Sequence, residues 1–424
     1  MTELSIEGAA QVVTPPEPGL AYLRHDRAAE LGLEPGSVCV AGGRVTALDD
    51  DPGADARLDA TGCAVVPGLV DCHTHLPFVG WRADEYAQRV GGVPYEEIAR
   101  AGGGIRRSAR ALAGASDGEI LTWSHALSDE MLRLGTTAFE TKTGYGLSAP
   151  AETRSLALGH HLAGLARQSV VHTALLAHAV PHGSTPDEWM DEVQALVPEL
   201  VARSAGWQAQ GAPGGALSAL DIYVESIAFT NRHLERMGEL AHRHGLHLRA
   251  HVEQFATHRS VPVALAAGAR SVDHLSCLDP ADLPGLAASE CAAVLLPAAE
   301  LLGAERVAPG RALADAGAIC ALATDLNPGT SPVTSLPLVI GLAVRRYGWS
   351  AREALLAVTL NAAWALGRSG ELGAVEAGRR ADLVVLDGPI EHVPYRLGHD
   401  PVLAVVVGGE LAYLRPGAER RLRG

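Results

Sequence analysis

The sequence predicts an α/β protein: a (β/α)8 barrel of the TIM type, with a small β-sandwich domain built from both chain termini. Alternation carries most of that inference. Eight short apolar, β-branched runs take turns with helix-like stretches through the middle of the chain, the pattern of a parallel barrel. The two ends share another texture, short β-type runs broken by Gly-Gly and Asp-Pro-Gly turns. Residues able to do chemistry recur at the C-terminal ends of the eight runs, the face on which barrels build their sites.

The N-terminal texture is SVCVAGGRVTALDDDPGADARLDATGCAV at 37–65 and the C-terminal one ADLVVLDGPIEHVPYRLGHDPVLAVVVGGELAYL at 381–414. Neither segment is long enough to bury both faces of a sheet alone. They are expected to pair into one discontinuous domain, 1–65 with 370–424, around a barrel domain of 66–369. The eight strands are expected in AVVPGLVDCHTH, TTAFETKTGYG, SVVHTALLAHAVP, LDIYVESIAF, LHLRAHVEQF, ARSVDHL, AAVLLPAA and ICALATDLNPG. GEILTWSHALSDEMLRLG, TNRHLERMGELAHRHG and SVPVALAAGA have helical periodicity. The Gly/Pro/Ala-rich stretch 206–219 reads as a flexible connection.

Composition bounds the partners. Of 424 residues, 47% are hydrophobic and 20% charged, enough apolar material for a large core. The formal charge of −15, with no long Lys/Arg run, argues against nucleic acid or an anionic membrane as partner and says little else. No stretch approaches the roughly 20 apolar residues of a membrane span. The segment MTELSIEGAAQVV is acidic and lacks an apolar core, so it is not read as a signal peptide. Six scattered cysteines without a CxxC suit reduced, buried thiols and a cytoplasmic protein. Cys72 lies between Asp71 and His73, but on a strand it points away from both, so it is not read as a ligand.

His73-Thr74-His75 ends the first strand, and alternate strand residues share a face, so both imidazoles point into the barrel mouth. His251 ends the fifth strand. Asp325 ends the eighth, where it could instead cap the following helix. Each is ambiguous singly. Together, three His and one carboxylate converging on one rim form a ligand set for a single Zn²⁺ or Fe²⁺. An ion so held can acidify water toward neutral pH.

This set, with PGLVDCHTH before it and ATDLNPG at its close, resembles the amidohydrolase superfamily. HTHLPFVGWR, YEEIARAGGGI, ETKTGYGL, LLAHAVP, AHVEQF, SVDHL, AVLLPAA and LATDLNPGTSP extend the likeness from about residue 60 to 385. They are similar to those of its members that open a propionate-bearing imidazolone ring in histidine degradation. The resemblance implies that Arg82 receives the propionate through its guanidinium fork, although Asp84 and Glu85 could pair with it at a surface. It implies that Tyr145 covers the small-molecule substrate and that His178 hydrogen-bonds the ring carbonyl. His274, with Asp325, would take part in deprotonating water. Asn327, Gly329 and Thr330 would bind the amino-acid portion.

Strict alternation from His251 would turn Glu253 inward and Gln254 away. The resemblance puts the substrate contact three residues after the histidine, so Gln254 is chosen and Glu253 kept as fallback. Glutamine cannot carry a proton; it would orient the ring, which favours ring opening over deamination. An aminohydrolase, or another cyclic amidase of a related carboxylate-bearing heterocycle, is the alternative; a catalytically silent binding scaffold is a third. Lys142 is expected to be structural or to support the site indirectly. His160, His161, His242, His244 and His247 are expected at the surface or in packing, and the barrel class implies a homodimer. The chain departs from the family at Trp81, which could reshape the pocket beside Arg82, at Pro77, and in the 206–219 loop.

Overall fold

The computed structural model describes residues 3–49, 51, 53–303 and 306–424. Eight parallel strands, Leu69–Asp71, Thr136–Lys142, Ser169–Ala177, Leu217–Tyr223, His247–Val252, Ala269–His274, Ala292–Leu295 and Ile319–Leu322, hydrogen-bond in sequence order. A bridge between Thr74 and Leu326 joins the first strand to the eighth, with His75 N–H donating to the Leu326 carbonyl at 2.8 Å. The barrel therefore closes just where the His-Thr-His segment leaves it. Helices lie between the strands. The helix Asp117–Arg133 begins at a reciprocal cap, Ser116 with Glu119, which satisfies N–H groups that the first turn would otherwise leave unpaired.

The first expected strand is two strands. Ala64–Pro67 belongs to the other sheet and Leu69–Asp71 to the barrel. Gly68 separates them, and a Cβ there would overlap the Thr137 side chain of the second barrel strand. The stretch 206–219 is also more ordered than its composition suggests. A helix runs from Pro186 to Ala209, Trp207 packs edge-on against His160 at 4.9 Å, and the fourth strand starts at Leu217.

Among the described residues the second sheet has nine strands: Leu4–Thr14, Gly32–Ala41, Arg44–Ala47, Ala56–Asp59 and Ala64–Pro67 from the N-terminal side, with Leu383–Leu386, Val402–Val407, Glu410–Leu414 and Leu422–Arg423 from the C-terminal side. Ala64–Pro67 sits between the two contributions, parallel to Leu4–Thr14 and antiparallel to Leu383–Leu386. In the central strands Ala64–Pro67, Leu383–Leu386 and Val402–Val407 both faces are buried. Val65, Leu383, Val385 and Val406 enter the domain's own core. Val66, Val384, Leu386 and Val405 point the other way, into the large core shared with the barrel helices. That double burial explains the unbroken apolar runs VVP, LVVL and LAVVV, which lack the polar alternation of a one-sided sheet.

An ionic network fills part of the barrel interior. Lys142 Nζ lies 2.8 Å from Glu140 and 2.7 Å from Asp221, and Arg249 lies 2.8 Å from Glu140. All four side chains are fully buried. Arg249 also donates to the carbonyls of Cys72 and Ala365, tying the floor of the barrel to the helix that follows it.

Candidate active site and metal centre

His73 and His75 project together into the mouth of the barrel. Between them and the base of the strand, Cys72 turns its thiol outward among apolar residues toward the Leu322 carbonyl. All six cysteines are buried, and none forms a disulfide. His251 and Asp325 complete the cluster. Asp325 Oδ1 is 3.2 Å from His75 Nε2 and 3.5 Å from His73 Nε2, and His251 Nε2 is 3.5 Å from His75 Nε2. Around one ion with bonds of about 2.1 Å meeting at roughly 90–109°, ligand atoms would stand about 3.0–3.4 Å apart. The spacing fits. His73 Nε2 and Asp325 Oδ2 are buried without a hydrogen-bond partner, as atoms reserved for a cation would be.

Carboxylates behind the imidazoles set their orientation. Asp273 accepts from His73 Nδ1 at 2.6 Å, and Asp221 accepts from His251 Nδ1 at 3.0 Å. Each bond fixes the proton on Nδ1 and leaves Nε2 bare toward the cluster. Asp221 in turn takes Lys142 Nζ at 2.7 Å. Burial raises the Asp221 carboxyl, but His251 and Lys142 outweigh it and hold the group below the usual carboxylate range. Burial also lowers Lys142, and Asp221 and Glu140 outweigh that, keeping the ammonium charged. Lys142 is thus the far end of a Lys-Asp-His relay. Neither Asp221 nor Asp273 stood out in the sequence. The signal was there in alternation: Asp221 is two residues before Tyr223 at the end of the fourth strand, and Asp273 immediately precedes His274.

Three strand ends leave the extended conformation through a left-handed residue that is not glycine. Glu253 has φ 55°, His274 φ 80° and Asp325 φ 54°, a costly geometry that clusters at functional sites. At the fifth strand the turn reverses strict alternation. The Glu253 carboxylate is buried away from the cavity, accepting from His258 N–H at 2.8 Å and Ser260 N–H at 2.7 Å, while Gln254 lines the cavity. At the sixth strand the turn lets two adjacent residues serve one site. Asp273 reaches His73 from within the sheet, and His274 swings its ring to 5.7 Å from that of His73 and 5.5 Å from that of His251. Burial pushes the His274 imidazole down to about 3, against the pull of Asp325. The Asp325 carboxyl itself is raised by burial.

The cavity over the cluster brings together His75, Arg82, Tyr145, His178, Gln254, His274, Asp325, Asn327 and Thr330. Arg82 is 5% exposed, so it is no surface cation. Its guanidinium meets Glu85 at 3.0 Å, the Ser108 hydroxyl and the Tyr145 hydroxyl. Glu85 also accepts Gly104 N–H at 3.1 Å, and a Cβ on Gly103 would strike the Ile98 carbonyl at 2.9 Å. The AGGGI segment is therefore the wrapping around the Arg82 counter-ion. Gly329 does not line the cavity. It lies flat against Arg82, and a Cβ there would overlap the guanidinium. Asn327 spends its side chain on its own loop, accepting from Gly329 N–H at 2.9 Å and Thr330 N–H at 2.7 Å. Trp81 turns outward against Phe78 and Trp123, with ring centroids at 5.4 and 5.6 Å, and does not enter the cavity. His178 stacks on His75 at 5.2 Å and 20°, with Nδ1 3.1 Å from the Gly144 carbonyl. His160 is packed against His172, while His161 and His242 are exposed.

Among the described residues no helix is long and apolar enough to cross a membrane. The family model described as the amidohydrolase family matches residues 64–412. An imidazolonepropionase from Rubrobacter xylanophilus is 41% identical, covering 98% of this chain and 99% of the relative. One from Chloroflexus aggregans is 39% identical, covering 96% and 98%. Among solved structures, a zinc-bound adenosine deaminase from Xanthomonas campestris aligns with a TM-score of 0.68 at 20% identity, covering 98% of this chain and 93% of that one; at that identity the likeness is one of fold. The His/Asp cluster at the barrel mouth is a divalent-metal site, and the chain belongs to the amidohydrolase family, where its relatives at about 40% identity are imidazolonepropionases.

Proposed function

We propose that this hydrolase opens the ring of 4-imidazolone-5-propanoate to give N-formimidoyl-L-glutamate, a step of histidine degradation. The observation that carries the reading is the likeness at 41% identity, end to end, to an imidazolonepropionase. A buried arginine at the cavity wall suits a propionate-bearing ring. One ion, Zn²⁺ or Fe²⁺, would be held by His73, His75, His251 and Asp325, whose mixed nitrogen and oxygen donors suit either metal. When bound, that ion supplies Lewis acidity toward the carbonyl and lowers the pKa of water.

The protein's own residues do the rest. Arg82 pairs with the propionate, releasing part of its hold on Glu85, and Tyr145 closes over the ring. The loop of Asn327, Gly329 and Thr330 receives the amino-acid portion, with Asn327 and Thr330 at the cavity wall and Gly329 backing Arg82. Gln254 orients the ring without exchanging a proton. His274, with its imidazole neutral, and Asp325 take the proton from the attacking water and return it to the ring nitrogen. Overall, the water oxygen joins the ring carbonyl carbon, the carbon–nitrogen bond breaks, and the nitrogen gains a proton. We further propose a cytoplasmic homodimer.

The test is a ring-opening assay. Purified, metal-loaded protein should consume imidazolonepropionate with loss of its ultraviolet absorbance and should yield the formimidoyl product by mass without releasing ammonia. No turnover would sink the substrate assignment; ammonia release from a related heterocycle would move the chain to the deaminases. Metal content by elemental analysis decides zinc against iron, and sedimentation decides the dimer.

A further inference from the structure

We infer that the Gly144 carbonyl locks His178 in the tautomer with its proton on Nδ1, so that Nε2 faces the cavity bare and accepts an N–H of the substrate ring. The resemblance gave His178 the opposite duty, donation to the ring carbonyl. The geometry reassigns it.

A carbonyl oxygen can only accept. With His178 Nδ1 3.1 Å from the Gly144 oxygen, the hydrogen between them belongs to the imidazole. A neutral imidazole carries one such hydrogen, so Nε2 is left as an acceptor. Among the described residues no other donor reaches that buried carbonyl. Turning the ring over would set a carbon against it and leave it unpaired, which buried carbonyls avoid.

Neither partner is free to move. The Glu152 carboxylate accepts from Gly144, Gly146 and Leu147 N–H, each at 2.8 Å, pinning the loop that presents the carbonyl. Gly144 has φ 110°, and a Cβ there would come 2.9 Å from His178 Nδ1 and 2.7 Å from the Leu175 carbonyl. Only glycine permits that approach. On the other side the ring lies against His75 at an interplanar angle of 20°, which fixes its plane. The TGYGL segment is thus a device for setting a proton on one nitrogen of His178, the first residue beyond the third barrel strand.

The consequence is selectivity. A bare Nε2 aimed into the cavity rewards a ring N–H and rejects a ring alkylated at that nitrogen or carrying oxygen in its place, since the acceptor would be left buried and unpaired. This part rests on the imidazolone reading above; the tautomer does not.

Two measurements decide it. In zinc-loaded protein labelled with ¹⁵N-histidine, long-range proton–nitrogen correlation distinguishes the tautomers, and the His178 signals are those lost in His178→Gln. A protonated Nδ1 with bare Nε2 is expected; a protonated Nε2 overturns the inference. Second, methylating the ring nitrogen of imidazolonepropionate should lower kcat/KM by about tenfold or more in the wild type and by much less in His178→Leu. Equal losses in both would overturn the N–H contact. If the unmethylated ring proves inert, the functional reading falls with the N–H contact, while the resonance measurement still decides the tautomer.

Discussion

Lys142→Met should expose how much of the metal site is held from behind. The ammonium is fully buried and bridges Glu140 at 2.8 Å and Asp221 at 2.7 Å. Removing one partner of a buried ion pair typically costs about 3–5 kcal/mol, because the remaining charge stays desolvated. Here Glu140 keeps Arg249 and Asp221 keeps His251, which places the loss toward the lower end, about 3 kcal/mol. That is a large share of a stability of about 5–15 kcal/mol. Asp221→Asn should cost a similar amount and also release His251, loosening zinc about 10–100-fold. The two losses should not add. Once Lys142 is gone, Asp221 is a carboxylate lacking its main cation, so neutralising it relieves strain as well as breaking a bond. A coupling of about 1–3 kcal/mol is expected from urea unfolding of the four proteins of the cycle, with zinc affinity followed by chelator competition. Additivity within about 0.5 kcal/mol, or zinc held as tightly by Asp221→Asn as by the wild type, would refute the relay.

Arg82→Met should raise KM for imidazolonepropionate about 10–100-fold with a smaller effect on kcat, as loss of a charge-assisted bidentate pair implies; Gly329→Ala should mimic it by displacing the guanidinium, and an unchanged KM in both would place the carboxylate elsewhere. His25 packs on Trp349 at 4.2 Å, and burial lowers its pKa to about 3. The folded value lies below the unfolded one, so stability is intact above pH 6.5 and falls as acid protonates only the unfolded chain, by about 2 kcal/mol at pH 5. His25→Phe should flatten that limb between pH 6.5 and about 3 in acid-unfolding curves; an unaltered slope would show that the ring is charged when folded. Chelation should abolish turnover, and one equivalent of divalent ion should restore it; activity in metal-free protein, or a requirement for two equivalents, would contradict the single-ion site.

Much of this architecture was legible because it depends on periodicity. Eight apolar runs give eight strands, and a residue pair two apart on a strand gives two imidazoles on one face, so the barrel and His73 with His75 could be read directly. The partnership of the chain ends was legible from texture alone. What stayed hidden depends on dihedral angles and on depth. No residue type announces a left-handed glutamate, histidine or aspartate, so the departure of Gln254 from alternation and the joint service of Asp273 and His274 could not be derived from spacing. Lys142 looked idle because a buried lysine is rare and its partners, Glu140 and Asp221, lie on its own strand and two strands away. The break at Gly68 was invisible for a similar reason: VVP and LVD are both apolar because both sheets are buried on two sides.

The sheet shared by the two chain ends also sets a timetable for the ribosome. Ala64–Pro67 needs Leu383–Leu386 as its neighbour, and Ala56–Asp59 is paired by Leu422–Arg423. At about 5–20 residues per second, the N-terminal strands wait roughly 15–60 s for those partners to be translated. During that interval Val65 and Val66 belong to an open sheet edge with both faces uncovered. The barrel can assemble in the meantime, but its shared core is sealed only once Val384, Leu386, Val402 and Val405 have emerged. Truncating the final strands would therefore injure the nascent chain at its beginning, and a holdase chaperone would find its target there.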